Sequence, residues 1–241
     1  RMPRPVMPAP STDAAVLRAR TAAEQDGGVS AVQWRPAHDE LLFAFRGDLW
    51  RVVPGAEPEN LTKTPTSEGR AAVSPDGARV AYLREGDLWT LALDGTAAPV
   101  RVTSLARDGV GVESFRWSRD GRRLAVVETD RTAIRTRNIP DVLLDEARMV
   151  AQRRAFPGEP SETRRLGIVA SNGGEVRWLD LGPEPMDIIH GYAWSPVRDE
   201  LAIDKSDVFV KDRRLLRADA ATGAVTELVR EREPMNVSAE W

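Results

Sequence analysis

Few residues in this chain have the types and spacing needed for bond-making chemistry. Only His38 and His190 could serve as the base of a serine-histidine-acid triad, and no cysteine offers a thiolate. The nucleophile elbow Gly-x-Ser-x-Gly does not occur; Gly28-Val29-Ser30-Ala31-Val32 has its first half and lacks the closing glycine. His38 falls in a turn, Arg35-Pro36-Ala37-His38-Asp39, and reads as a solvated loop residue. His190, between Ile188-Ile189 and Gly191-Tyr192, reads as a structural histidine at a strand start. Two distant histidines without cysteine do not make a transition-metal site. No phosphate-cradling glycine motif or calcium loop is present, since Gly173-Gly174 lies in a hairpin pattern and not ahead of a helix. Arg131, Arg135, Arg137, Arg153 and Arg154 are interleaved with Asp130, Asp141, Asp145 and Glu146, so a self-paired, solvated surface is expected there. The expectation is therefore no catalytic, cofactor-binding or metal-ligating residue in this chain.

The elements around these residues are organised by one repeated pattern. Trp34-Arg-Pro-Ala-His-Asp-Glu-Leu41-Leu-Phe43 recurs as Val73-Ser-Pro-Asp-Gly-Ala-Arg-Val80-Ala-Tyr82, as Trp117-Ser-Arg-Asp-Gly-Arg-Arg-Leu124-Ala-Val126, and as Trp194-Ser-Pro-Val-Arg-Asp-Glu-Leu201-Ala-Ile203. A fifth copy begins at Trp241; the anchors are spaced by 39, 44, 77 and 47 residues. Each copy is a strand end, a polar turn and an alternating strand. Periods near 40 with several short strands per unit indicate a β-propeller, each repeat one blade. Gly47-Asp-Leu-Trp50 and Gly86-Asp-Leu-Trp89 repeat a further turn and strand, while Val100–Thr103 and Val225–Leu228 read as outer strands. The first blade reads as less complete than the others. Most of the seven tryptophans sit at the repeated anchor or in the Asp-Leu-Trp strands, which favours packing between blades over a ligand platform.

The ends and the long gap break the pattern. Residues 1–27 form a proline-rich arm, with Pro3, Pro5, Pro8 and Pro10, and then a short helix from Ser11-Thr-Asp13 through Gln25, closed by Gly27-Gly28. This segment suits docking on a partner or packing on its own propeller. Residues 28–241 form the partial propeller, about four to five four-stranded blades, with an insertion at about 130–160. Within the insertion a helix is expected over Asp141–Val150, started by Pro140. Strands resume at Leu166–Ala170 and Val176–Leu181, turning at Asn172-Gly173-Gly174.

Bulk properties exclude some partners. A net charge of −3, scattered along 241 residues, gives no electrostatic footprint for nucleic acid. No apolar run approaches the roughly 18 residues that span a bilayer, so a soluble chain is expected. Three lysines against 31 arginines, with many alanines, suggest a GC-rich bacterial genome. The chain starts at Arg1 without a methionine, which is consistent with removal of a leader. A periplasmic or secreted location is the expectation.

The order of motifs resembles a known family. Trp117-Ser-Arg-Asp-Gly-Arg-Arg-Leu-Ala-Val-Val-Glu-Thr-Asp130, Arg154-Ala-Phe-Pro157-Gly158, Leu166-Gly-Ile-Val169, Glu175-Val-Arg-Trp178-Leu179 and Trp194-Ser195-Pro196 follow the series of the amino-terminal propeller of dipeptidyl-peptidase-IV-type serine peptidases, in the prolyl oligopeptidase clan. Ala218-Asp219-Ala220-Ala221-Thr222-Gly223 resembles the hairpin that closes a blade in that family. The resemblance covers roughly residues 30–241. It implies a seven- or eight-bladed propeller that gates and binds peptide substrates over a carboxy-terminal α/β-hydrolase domain, which carries the triad.

One departure stands out. Family members carry adjacent glutamates, shortly before the third-blade tryptophan, that bind a substrate's free amine. The stretch Ser104–Trp117 has no such pair; Asp108 and Glu113 are its only carboxylates. The leading expectation is the non-catalytic substrate-gating propeller portion of such a peptidase, whose hydrolase domain or other subunits cover the open propeller edges. A catalytically inactive propeller acting as a scaffold or accessory subunit is the alternative, and a periplasmic binding propeller of TolB type shares the same repeat.

Overall fold

The computed structural model describes residues 28–141, 148–182 and 187–234. The expected helix over 13–25 and the anchor Trp241 lie outside the described residues. The first blade contains β1 (Val29–Trp34), β2 (Leu41–Phe45), β3 (Asp48–Val52) and β4 (Glu59–Asn60); the second contains β5 (Glu68–Val73), β6 (Arg79–Arg84), β7 (Asp87–Ala92) and β8 (Val100–Arg101). The third contains β9 (Val110–Trp117) and β10 (Arg123–Asp130), then, after the inserted hairpin β11 (Thr136–Asp141) and β12 (Arg148–Arg153), β13 (Thr163–Ala170) and β14 (Arg177–Trp178). The fourth contains β15 (Ile188–Trp194), β16 (Glu200–Ser206), β17 (Asp212–Asp219) and β18 (Val225–Arg232). Each blade is an antiparallel meander in chain order, and the first strands β1, β5, β9 and β15 touch one another in succession. This is a β-propeller arrangement, with the first strand of each blade innermost. The first blade is as complete as the second: β4 pairs with β3 through Trp50 and Asn60, which corrects the expectation of a shortened unit.

The helix expected over 141–150 is not seen in the described residues. Asp141 ends β11 and Arg148–Val150 begin β12, with Ile139 opposite Val150 and Pro140 opposite Met149. Residues 142–147 are outside the described set. The preceding segment 136–141 supplies a strand partner, and cross-strand pairing overrides a local helical preference.

The middle strands explain why blades stack. Val80, Ala81 and Tyr82 are all fully buried, because β6 has a neighbouring blade on each face. Side chains alternate across a strand, so Val80 and Tyr82 pack with Leu42 and Leu49 of the first blade, while Ala81 packs with Trp117, Leu124 and Val126 of the third. Likewise Ala125 and Val127 turn to Leu201 and Ile203 of the fourth. The core is therefore a series of apolar layers between blades.

The repeated turn residues have a local cause. Ser74 Oγ donates to Asp76 Oδ1 at 2.5 Å, Ala78 N donates to the same oxygen, and Arg79 N donates to Ser74 Oγ. Ser118, Asp120, Arg122 and Arg123 repeat this set at 2.7, 3.1 and 2.9 Å. The glycine that follows takes φ +71° at Gly77 and +67° at Gly121, which admits no ordinary side chain without strain. At Gly77 a Cβ would also lie 2.6 Å from Pro36 O, so successive turns nest blade on blade.

Two buried side-chain atoms, the Tyr82 hydroxyl and Arg84 Nε, are unsatisfied among the described residues. The Tyr82 hydroxyl is buried with no hydrogen-bond partner among the described residues, and burial pushes its pKa up to about 12. Tyr82→Phe keeps the ring and removes a stranded polar atom. The expected result is unchanged or higher stability, by up to about 1 kcal/mol, read as the urea midpoint at pH 7.

Candidate functional site: a bulge-lined cavity on the inner strands

The inner strand of every blade carries a β-bulge. Ala31 and Val32 together face Phe43, and Arg70 and Ala71 together face Tyr82. Glu113 is the extra residue between Val112, opposite Glu128, and Ser114, opposite Val127. His190 is the extra residue between Ile189, opposite Lys205, and Gly191, opposite Asp204. A bulge bends its strand and re-aims the side chain it carries. In the second, third and fourth blades these residues are Arg70, Glu113 and His190, and all three line one cavity of about 700 Å³. Arg116, Ser114 and Tyr192 complete its polar wall, and Trp117 and Trp194 give it apolar ground.

Its groups differ in how they are partnered. Glu113 accepts from Thr129 Oγ1 at 2.5 Å and from Arg164 Nε at 2.6 Å. Arg164 also bonds Glu162, which takes a 2.7 Å hydrogen bond from Arg131 Nε. Burial pushes the Glu113 carboxyl up, but the Arg164 and Thr129 hydrogen bonds and the Arg164 charge outweigh it and hold the pKa below the usual glutamate range. Tyr192 OH and Ser114 Oγ lie 3.0 Å apart, and Arg116 sits 5.5 Å from the Tyr192 ring centre. Burial raises the Tyr192 pKa, opposed by the Ser114 hydrogen bond and by the charges of Arg116 and Arg70.

His38, expected in a solvated turn, and His190, expected to be structural at a strand start, lie in different blades. His38 is exposed in the first-blade turn, its Nδ1 2.8 Å from Pro36 O. His190 Nε2 lies 2.8 Å from Ser206 Oγ, a contact absent from any sequence motif. Ser206 Oγ lies 2.8 Å from Asp207 O as well, so the hydroxyl bridges the imidazole and the backbone. Ser206 is also fully buried, so the pair is not a nucleophile with its base. Asp108 is solvent-exposed and bonds Arg153 Nη2 at 2.5 Å, well separated in role from Glu113. Among the described arginines of the insertion, Arg131, Arg137 and Arg153 pair with Glu162, Glu159 and Asp108 respectively. Arg70, Arg116 and Tyr192 were not singled out by sequence reasoning. A polar residue three or four positions before a blade anchor, where the strand would alternate, is the signal that could have found Arg70, Glu113 and His190.

Fold and cavity together define a propeller whose inner strands present a polar wall to one shared cavity. The family model described as "Dipeptidyl peptidase IV (DPP IV) N-terminal region" matches residues 53–241, and the chain belongs to that family. The structure is similar to the crystal structure of Porphyromonas gingivalis dipeptidyl peptidase 4, with a TM-score of 0.70 and 16% identity over 86% of this chain and 31% of that one. It is similar also to a putative dipeptidyl aminopeptidase IV from Bacteroides ovatus, with a TM-score of 0.68 and 17% identity over 86% and 30%. The chain thus spans under a third of the length of these structures. No curated protein sequence matches it.

Proposed function

We propose that this chain is the substrate-admitting propeller of a serine peptidase, orienting peptides for an α/β-hydrolase domain that supplies the serine-histidine-acid chemistry. The observation that carries this reading is the family match over residues 53–241. The bulge-lined cavity supports it, because peptide ends and backbones need the paired donors and acceptors that its wall provides. The chain itself contributes binding and orientation, which lower the barrier by holding a scissile bond in place. The exposed face of the first blade, with Val29, Val32 and Trp34, supplies apolar surface for a further blade or subunit.

The test is made on the native protein from its source. An intact mass well above 26.6 kDa, with covalent labelling by a fluorophosphonate and release of nitroaniline from peptide p-nitroanilides, is the expected result. A native mass near 26.6 kDa without labelling would sink the peptidase reading and leave a scaffold or accessory propeller.

A further inference from the structure

Resting on that reading, we infer that the inner-strand cavity is a carboxylate-binding site, with Arg70 and Arg116 as the anion-recognising residues. The cavity wall carries three arginines against one glutamate. Arg164 is taken up by Glu113 and Glu162. Arg70 and Arg116 make no ion pair or side-chain hydrogen bond among the described residues, although almost every other arginine lining an inter-blade cavity has a carboxylate partner. Both line the cavity beside Tyr192 from different strands, β5 and β9, and Arg116 lies 5.5 Å from the Tyr192 ring centre.

The backbone adds a second, independent observation. Arg70 sits at φ +49°, a left-handed conformation that costs energy for any residue with a Cβ. Glycine would occupy this bulge without strain, so the arginine is held there against a local backbone cost. In the first blade the equivalent bulge holds Ala31 at φ +52°, which shows that the geometry itself does not require a long cation. What Arg70 contributes is a positive charge on the cavity lining.

The chemistry this wall recognises is an anion, met by two exposed guanidinium groups. Two guanidinium groups offer forked donors that match a carboxylate, while the hydrogen-bonded Ser114–Tyr192 hydroxyl pair leaves one neutral O–H donor beside them. Glu113, already neutralised by Arg164, does not compete for the two free cations. Where an amine-reading site would present free carboxylates, this cavity presents free arginines. The two sources of such a ligand are the carboxy terminus of a peptide and a small free dicarboxylate; the peptide terminus is the one the proposed function supplies.

Calorimetric titration of the 241-residue chain separates these cases. The probes are N-acetyl-trialanine as the free acid, the same peptide as its carboxy-terminal amide, succinate and inorganic phosphate. The free acid is expected to bind at least about 10-fold more tightly than the amide, the worth of one charge-assisted hydrogen-bonded contact. Arg116→Gln and Arg70→Gly are each expected to lose about 10-fold or more in free-acid affinity. Arg70→Gly is chosen because glycine accepts φ +49°, so its melting temperature should hold or rise while binding falls. Equal binding of acid and amide would overturn the carboxylate assignment and leave the peptide-orienting function standing. Succinate binding without peptide binding would keep the carboxylate site and overturn the peptide reading. Phosphate binding tighter than either carboxylate, unchanged affinity in both variants, or no heat with any probe would overturn the inference.

Discussion

Replacing Trp117 by alanine is expected to lower stability by about 3–5 kcal/mol, the usual loss for truncating a buried aromatic. The ring is buried at the end of β9 and packs in the layer shared by the second and third blades, with Ala81, Leu124 and Val126. Its Nε1 donates to Ala72 O of the preceding inner strand at 2.8 Å. Trp194 repeats the contact one blade later, donating to Arg116 O at 3.0 Å. The anchor tryptophan is therefore a stitch from each blade to the one before it. Where the second blade has Val73 in place of tryptophan, Gln33 takes over, donating to Ala71 O at 3.1 Å and accepting from Val73 N at 2.9 Å. Trp117→Phe separates the two contributions: it keeps most of the packing and should lose about 1 kcal/mol for the hydrogen bond. Urea denaturation of the two variants reads the difference. Equal losses in both would show that the hydrogen bond, and not the ring, holds the blades together. Against a total of about 5–15 kcal/mol for a folded domain, the alanine variant loses a large share of the margin.

Asp87→Ala is expected to cost about 3 kcal/mol, because it strands several donors around a buried carboxylate. Asp87 is only 2% exposed. Its Oδ1 accepts from Thr103 Oγ1 and from Leu105 N, both at 2.7 Å, and its Oδ2 accepts from Arg101 Nη2 at 2.5 Å. Thr103 in turn accepts from Leu88 N at 3.0 Å. One carboxylate thus ties the start of the third strand to the fourth strand and to the connection into the next blade. Asp48 does the same in the first blade, with Asn60 at 2.8 Å, Thr62 and Thr64 N. In the fourth blade Asp212 collects Arg214, Arg230 and Arg232.

The same clasp sets a pH dependence. Burial pushes the Asp87 carboxyl up, but the Leu105 amide, Arg101 and Thr103 outweigh it and hold its pKa below the ordinary aspartate value. A folded pKa below the unfolded one contributes stability that is present above about pH 4 and lost as the pH falls through the folded value. Asp76, Asp120 and Asp130 are depressed in the same direction, as is Glu113. Wild-type stability should therefore fall steeply below about pH 4, and Asp87→Ala should show a shallower fall over the same range. Parallel pH profiles for the two proteins would remove Asp87 from the acid response.

The sequence by itself determined the blade repeat, its turns and its family, because those signals are local. Ser-x-Asp-Gly closes its own turn within five residues, the Gly-Asp-Leu-Trp copies mark equivalent strands, and continuous apolar runs such as Val80-Ala-Tyr82 mark strands buried on both faces. The tertiary structure decided what depends on a partner strand. Residues 148–150, expected to end a helix, lie instead in a strand because Ile139, Pro140 and Asp141 pair with them. A bulge exists only where two residues face one across a ladder, so the aim of Arg70, Glu113 and His190 could not be read along the chain. Arg70, Arg116 and Tyr192 line one cavity because three blades stack through apolar layers that pull their inner strands together. Local chemistry wrote the blades, and long-range packing made the cavity between them.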